Sequence, residues 1–455
     1  MLKESFKSRM SDLLEKEEYE AFIHALESDE AVRGARVNLI KCDGNPPLID
    51  GALWSPLSYV DNGYILEGDV QIGRTPEHHA GMIYMQDPGA MSALAAIDIK
   101  PEWWVADLCA SPGGKSSQAA ERLGDEGFLL ANEYVPKRAK TVVGNFERLG
   151  IKNAIVTSMD TSALAELYSC TFDLCILDAP CSGEGMFRKS EEALSEWTPE
   201  YTLLCAERQK EIFKNAYKLL KPGGYLLYST CTWSTAENEE VVLWALGEYP
   251  ELELVPVRDE LIEVTRPGIK LCGDERMSLT RRFYPHVSPG EGQFTALFKK
   301  CEDSDFTPTF LYKERVKELS REERGIVEDF FRTQLTEKPR GRLIKSGENV
   351  VLISHGCPLP PHSVFMSGVL VGEIRRGVLH PAHQFFSVYG NLFKLRVELG
   401  TDRALAEEYL LGYEIPTDSQ KNGWCSVEYC EATLGGGKMS GGRIKNHYPK
   451  GLRNK

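Results

Sequence analysis

Two cysteines stand where a reaction could use them. One lies in Asp178-Ala-Pro-Cys181-Ser-Gly-Glu-Gly185 and the other in Ser229-Thr230-Cys231-Thr232, each just past an apolar run of strand character. The chain has 12 cysteines and no Cys-x-x-Cys pair, which excludes zinc-ribbon and thioredoxin-type motifs. Buried cysteines are mostly inert small hydrophobes, and Cys170, Cys175 and Cys205 are expected to be of that kind. A cysteine at a strand end facing a cofactor is different, because it is desolvated from one side only and nearby donors can stabilise its thiolate. The chemistry that uses a thiolate beside a methyl donor is methylation of a pyrimidine at C5. That carbon is too weak a nucleophile until a thiolate adds to C6 and makes it enamine-like. Addition is easier when a carboxylic acid hydrogen-bonds N3 and the exocyclic amine, and Asp178 is placed for that role.

A methyl donor needs a site of its own. Asp107-Leu-Cys-Ala-Ser-Pro-Gly-Gly-Lys-Ser116 ends like a Walker A loop, but the glycine required five residues before the second glycine is Cys109. No dinucleotide fingerprint is present either. What remains is a strand ending in an acid, a tight loop and a helix start, with Gly113 and Gly114 expected to let a ligand approach the backbone. An adenosine group bound there needs an acid at the end of the next strand for its ribose hydroxyls. Glu133 stands about 20 residues on, the expected distance. Asp160, after the third strand, is placed to take the adenine amino group. Any one of these acids could equally well cap a helix; three at consecutive strand ends argue for a ligand.

The elements that must position these groups are legible from about Pro101 onward. Trp104–Leu108, Phe128–Ala131, Ala154–Val156, Asp173–Asp178 and Gly224–Ser229 read as strands, with helices over Pro136–Leu149 and Ala206–Leu220. Phe294–Phe298 closes the sheet. Strand–helix alternation predicts an α/β fold with a parallel doubly wound sheet, whose ligands bind beyond the carboxyl ends of the strands. Upstream, residues 1 to about 30 read as helical and Arg36–Ile40 as a strand, within a small α+β module. Downstream, Cys301–Asp305 reads as an acidic linker, Lys313–Phe331 as a charged helix and Asn349–Ile353 as a strand. The expected units are 1–95, 96–300, 306–370 and 371–455.

The chain has 455 residues, 42 % of them hydrophobic and 26 % charged, which excludes a largely disordered or collagen-like chain. No run approaches the ~18 apolar residues of a membrane span, and the N-terminus is too polar for a signal peptide. A cytoplasmic protein with reduced thiols is expected. The net charge is −14, yet Leu434–Lys455 holds six basic residues and no acid, so the tail carries +6 and the remainder −20. A basic end on an acidic body keeps a polyanionic partner open. The pair His78-His79 is expected in an exposed loop, and His355, His362, His380 and His383 at the surface or in packing. No third ligand accompanies them, so no metal is expected.

The ordered set DLCASPGGKSS, ANE, DAPCSGEG and YSTCT resembles the RNA (cytosine-5) methyltransferases of the RsmB/RsmF/NSUN family. The resemblance extends to Gly81–Pro88 upstream and to Arg281–Phe294 downstream. The end, Gly-Gly-Arg443-Ile-Lys-Asn-His-Tyr-Pro-Lys450, looks like that of bacterial RsmF-type 16S rRNA methyltransferases, which carry a PUA-like RNA-binding module there. It implies a Rossmann-like S-adenosylmethionine-dependent core with RNA-facing modules at both ends. It implies Cys231 as nucleophile, Cys181 as assisting product release and Asp178 as the cytosine contact. Cys109, Ala110, Ser111, Pro112, Gly113, Gly114, Lys115, Glu133, Arg138, Asp160 and Asp178 would line the cofactor site. Ser111 departs from the family, which usually has Ala there. Lys438, Arg443, Lys445, Lys450 and Arg453 are expected to grip RNA phosphates, with His447 and Tyr448 stacking a base. The expected partner is ribosomal RNA or the small subunit, with transfer RNA as the alternative, and the protein is expected to act as a monomer. A DNA-type enzyme would instead attack with Cys181, and a non-catalytic RNA-binding factor would have no reason to keep both cysteines.

Overall fold

Five apolar runs pair in parallel to form the heart of a mixed sheet: β1 (Trp104–Asp107), β2 (Phe128–Asn132), β3 (Ala154–Thr157), β4 (Phe172–Asp178) and β5 (Leu220–Thr230). The computed structural model describes residues 2–27, 31–302, 312, 314 and 316–454. The strands lie in the order 3-2-1-4-5, so the chain reverses direction across the sheet between β1 and β4. Ligand crevices of doubly wound sheets open at such a reversal, beyond the strand ends. Here those ends carry Asp107 and Asp178. Most residues of these strands are buried, as expected of a sheet covered on both faces. The covering helices include α1 (Gly114–Ala120), α2 (Pro136–Leu149), α3 (Thr161–Leu167), α4 (Pro199–Leu219) and α5 (Glu239–Glu248).

The sheet extends further than its parallel part. On one side β6 (Gln293–Lys300) runs antiparallel to β5. On the other, β7 (Val364–Met366) comes back from the C-terminal part of the chain and pairs antiparallel with β3, Val364 opposite Thr157. Helix α4 begins earlier than the expected Ala206, because Thr198 caps it by accepting from the Tyr201 amide and Pro199 supplies the first helical residue. The charged helix runs Arg321–Gln334 and starts at a capping box formed by Ser320 and Glu323. Lys313 and the acidic stretch Asp303–Asp305 lie outside the described residues.

The expected N-terminal helix is two helices, Glu4–Leu13 and Lys16–Glu27, broken where Leu14 turns to an extended conformation. Phe6 and Phe22 from this hairpin pack on Phe187, Trp197, Trp233 and Tyr284, which follow the two cysteine motifs. A four-stranded antiparallel sheet comes next, with Gly34–Val37 in place of the expected Arg36–Ile40. Its core is shared with the last sheet of the chain: Ala35, Ile72 and Ile83 pack with Tyr409, Leu434 and Ile444. His78 and His79 are therefore half-buried, not exposed. His79 Nδ1 lies 2.7 Å from the Tyr448 hydroxyl, and burial pushes His78 down to about 3.

Candidate active site

The parallel register of β4 and β5 sets Asp178 opposite Ser229, so the loops that follow leave the sheet side by side. The Sγ atoms of Cys181 and Cys231 come to 3.2 Å. The two loops are also tied through backbone, with the Gly185 amide donating to the Cys231 carbonyl at 2.8 Å. A Cβ on Gly185 would stand 2.9 Å from that carbonyl and 2.8 Å from the Gly292 carbonyl, so only glycine fits there.

Two buried carboxylates hold the loop that carries Cys181. Glu237 accepts from the Ser182 amide at 2.8 Å, from the Ser182 hydroxyl at 2.6 Å and from Gln209 Nε2 at 3.1 Å. Gln209 Nε2 also donates to the Pro180 carbonyl. Glu184 accepts from Arg9 at 2.6 Å, from Trp197 Nε1 at 2.8 Å and from the Trp233 amide at 2.9 Å. The N-terminal hairpin thus braces both cysteine loops. Sequence reasoning missed both roles: an acid in a polar motif carries no mark of where its carboxylate points.

The charge pattern follows from burial and pairing. Cys181 is pushed well above the ordinary thiol range, first by its hydrogen bond to Cys231 and then by desolvation, so it keeps its proton. Burial pushes Asp107 up to about 7, although it accepts from the Ser116 hydroxyl and the Cys109 amide. Asp178 is held from both sides, by the Ser229 hydroxyl at 2.9 Å and by Lys115 Nζ at 2.9 Å. Burial works to lower Lys115, but Asp178 outweighs it and the ammonium is stabilised. Burial pushes Glu237 up to about 7.

A cleft of about 1000 Å³ opens on this pair of loops. Cys109, Ser111, Glu133, Arg138, Asp160, Asp178, Cys181 and Cys231 line it. Glu133 is buried at the end of β2; one carboxylate oxygen takes the Val135 amide at 2.9 Å and the other lies 3.5 Å from Arg138. Asp160 caps α3 through the Ser162 amide and still borders the cleft. Ala110, Pro112, Gly113 and Gly114 do not line it: the first three form the turn that leads into α1, which Gly114 opens, and Lys115 reaches Asp178. Gly113 is required by its φ of +114°, whereas a side chain on Gly114 would meet Tyr84 and Gln86 at 3.3 Å. Gly114 therefore lets α1 pack closely against Tyr84 and Gln86 of the N-terminal module. Acids beyond β2 and β3 with apolar walls from Leu108, Val135 and Ile212 suit an adenosine-bearing molecule whose other end reaches the cysteines.

None of the five basic tail residues lines the cleft. Lys438, Lys445 and Lys450 are exposed, and Arg443 faces Glu414 at 3.9 Å. Arg453 is turned back, donating to the Tyr448 carbonyl at 3.3 Å. Tyr448 is only 3 % exposed and cannot stack a base; the sequence carries no sign that the chain end folds into the shared core. His447 packs on Trp424 at 4.7 Å.

A parallel sheet ordered 3-2-1-4-5 with an antiparallel neighbour, acids at successive strand ends and this cleft define an S-adenosylmethionine-dependent methyltransferase. Comparison with known proteins goes further. Residues 94–299 match the 16S rRNA methyltransferase RsmB/F model, 2–88 the N-terminal domain of RsmF and 395–454 the methyltransferase RsmF PUA domain. The chain is 31 % identical over 420 residues to ribosomal RNA small subunit methyltransferase F of Klebsiella pneumoniae, covering 88 % of this chain and 84 % of that protein. A methyltransferase homologue from Pyrococcus horikoshii, 29 % identical, superposes with a TM-score of 0.56 over 66 % of this chain and 95 % of its own. NSun6 from the same organism, solved with SFG, shares the fold at 22 % identity, with a TM-score of 0.55 over 66 % of this chain and 99 % of its own. The chain belongs to the RsmF family of methyltransferases, and S-adenosylmethionine is its methyl donor.

Proposed function

We propose that this protein methylates carbon 5 of a cytosine in 16S ribosomal RNA, acting in the cytoplasm as a monomer. The observation that carries the reading is the pair of thiols 3.2 Å apart at adjacent strand ends, one keeping its proton, beside a carboxyl held by Ser229 and Lys115. Cys231 is the attacking thiolate and adds to C6. Asp178 meets N3 and the exocyclic amine, and Lys115 beside it steadies that carboxyl. Bound in the cleft, S-adenosylmethionine supplies a methyl group on a sulfonium sulfur to the activated C5. A base then takes the C5 proton, the C5–C6 double bond returns and the C6–sulfur bond breaks, leaving the thiolate on Cys231. The Cys181 thiol, hydrogen-bonded to that sulfur, stabilises it as it leaves. Glu133 and Asp160 would hold the ribose and adenine ends of the donor.

The test is incubation of the protein with unmodified small-subunit ribosomal RNA and methyl-labelled donor, followed by nucleoside mass spectrometry. The expected product is 5-methylcytidine. Label found in a different nucleoside, or at another position of cytidine, would sink the reading.

A further inference from the structure

The methyl donor accounts for only part of the cleft. Helix α4 borders the cleft through Tyr201, Arg208, Glu211, Ile212 and Asn215. Seven-residue spacing sets Tyr201, Arg208 and Asn215 on one helical face. Asn215 donates to the Thr161 hydroxyl at 2.9 Å, next to Asp160, so this end of the row belongs to the adenine side. At ~1.5 Å per residue, Arg208 stands ~10 Å and Tyr201 ~21 Å further along the helix. That direction leads toward the cysteine loop, since Gln209 is bonded to the Pro180 carbonyl.

Arg208 differs from the other cations here. Of the two that line the cleft, Arg138 is matched by Glu133, whereas Arg208 is exposed and has neither ion pair nor hydrogen bond among the described residues. Its neighbours Lys210 and Lys214 are paired with Glu207 and Glu211. An unpaired guanidinium in the reaction cleft of a chain with net charge −14 calls for an anion. Tyr201, 37 % exposed on the same face, offers an aromatic surface for a base. From this placement we infer that Arg208 and Tyr201 form the RNA-strand subsite of the cleft, Arg208 holding a backbone phosphate beside the target cytosine and Tyr201 stacking a flanking base. The inference rests on RNA being the substrate, as proposed above.

The same guanidinium could meet the carboxylate of the methyl donor, so the experiment separates the two anions. Arg208→Ala, Arg208→Lys and Tyr201→Ala are compared with the unaltered protein in three measurements. These are binding of a labelled single-stranded RNA 12-mer with one central cytosine across a salt series, calorimetry with S-adenosylhomocysteine, and KM for ribosomal RNA. Arg208→Ala is expected to lower the slope of log affinity against log salt by ~0.7, and Arg208→Lys to restore it. Tyr201→Ala is expected to weaken RNA binding roughly five-fold or more with the slope unchanged. S-adenosylhomocysteine affinity stays the same in all three. Loss of that affinity with an unchanged salt slope would place Arg208 in the donor site and overturn the inference. An unchanged slope and KM in a protein that makes 5-methylcytidine would overturn it alone. A protein that makes no 5-methylcytidine but shows the expected slope change would count against the proposed reaction and leave the subsite standing.

Discussion

The cysteine loops and the C-terminal tail face opposite physical demands. Around Cys181 and Cys231, buried carboxylates consume nearly every donor: Glu237 takes Ser182 twice, Glu184 takes an arginine, an indole and an amide, and Arg282 is clamped by Glu239. In the tail, Leu434, Met439, Ile444 and Tyr448 go into a shared core, while Lys438, Lys445 and Lys450 stay out in water. Reacting atoms must be placed within a fraction of an ångström, so their supports are over-determined and buried. Groups that meet a phosphate backbone act through charge over several ångströms and need only be exposed.

The largest test of this contrast lies inside the rigid region. If Cys231 attacks C6, Cys231→Ala should abolish methylation and form no covalent adduct. Cys181→Ala keeps the attacking thiolate but removes the hydrogen-bond donor 3.2 Å away, so release fails and the enzyme is trapped on its RNA. Denaturing gels should show a slow protein–RNA band for Cys181→Ala, absent from Cys231→Ala and from the double variant. The reverse pattern would move the protein to the mechanism in which the cysteine after proline attacks.

A smaller effect probes the support and not the chemistry. Glu237 is buried and its pKa is raised from 4.5 to about 7 in the fold, so the folded protein holds this proton more tightly than the unfolded chain. For a raised carboxyl the stabilising proton binding is fully present below about 4.5. It is lost as pH rises through about 7, a swing on the order of 3 kcal/mol. Glu237→Gln cannot titrate. Denaturant unfolding between pH 4.5 and 7 should therefore show a shallower loss of stability with rising pH for the variant. Equal slopes for the two proteins would mean that Glu237 is not desolvated as its burial implies, its hydrogen bonds from Ser182 and Gln209 offsetting that burial. Asp107, also raised to about 7, adds the same sign of dependence to both proteins and cancels in the comparison.

The same contrast governs what can be read in the sequence. Local signals are legible: α2 runs Pro136–Leu149 as its apolar spacing and flanking Pro and Gly indicate, and the strand ends put Glu133, Asp160, Asp178 and Cys231 around one crevice. Contacts between distant segments are not. Nothing local tells that Val364–Met366 will join β3, or that Glu184 will reach back to Arg9. Tyr448 reads as a stacking residue because it stands among basic residues in the tail. It is buried in the core shared with Ala35 and Ile83, and its hydroxyl lies against His79, 369 positions away. Gly114 reads as a position of close approach, and nothing local tells that Tyr84 and Gln86 of the N-terminal module will pack against it.

The smallest expected effect belongs to the tail, and the fold dictates how it must be measured. Removing the chain from Leu434 onward would strip Leu434, Met439, Ile444 and Tyr448 from a core that also holds Ala35 and Ile83, so a truncated protein would report on folding and not on RNA. Side-chain changes avoid this. Lys438, Lys445 and Lys450 are exposed, and Lys438 lies over the Trp424 ring at 5.7 Å. Replacing all three with Gln removes charge while leaving the apolar face untouched. If each lysine meets one phosphate, the slope of log affinity against log salt should fall by ~0.7–0.9 for each phosphate no longer neutralised, with methyl transfer at saturating RNA unchanged. Arg443 and Arg453 make a useful contrast: Arg443 faces Glu414 and Arg453 is bonded to the Tyr448 carbonyl, so their replacement should change the slope less. A slope that responds to the arginines and not to the lysines would show that RNA opens these internal bonds on binding. The tail would then share the pre-formed character of the cysteine loops only after RNA has reshaped it.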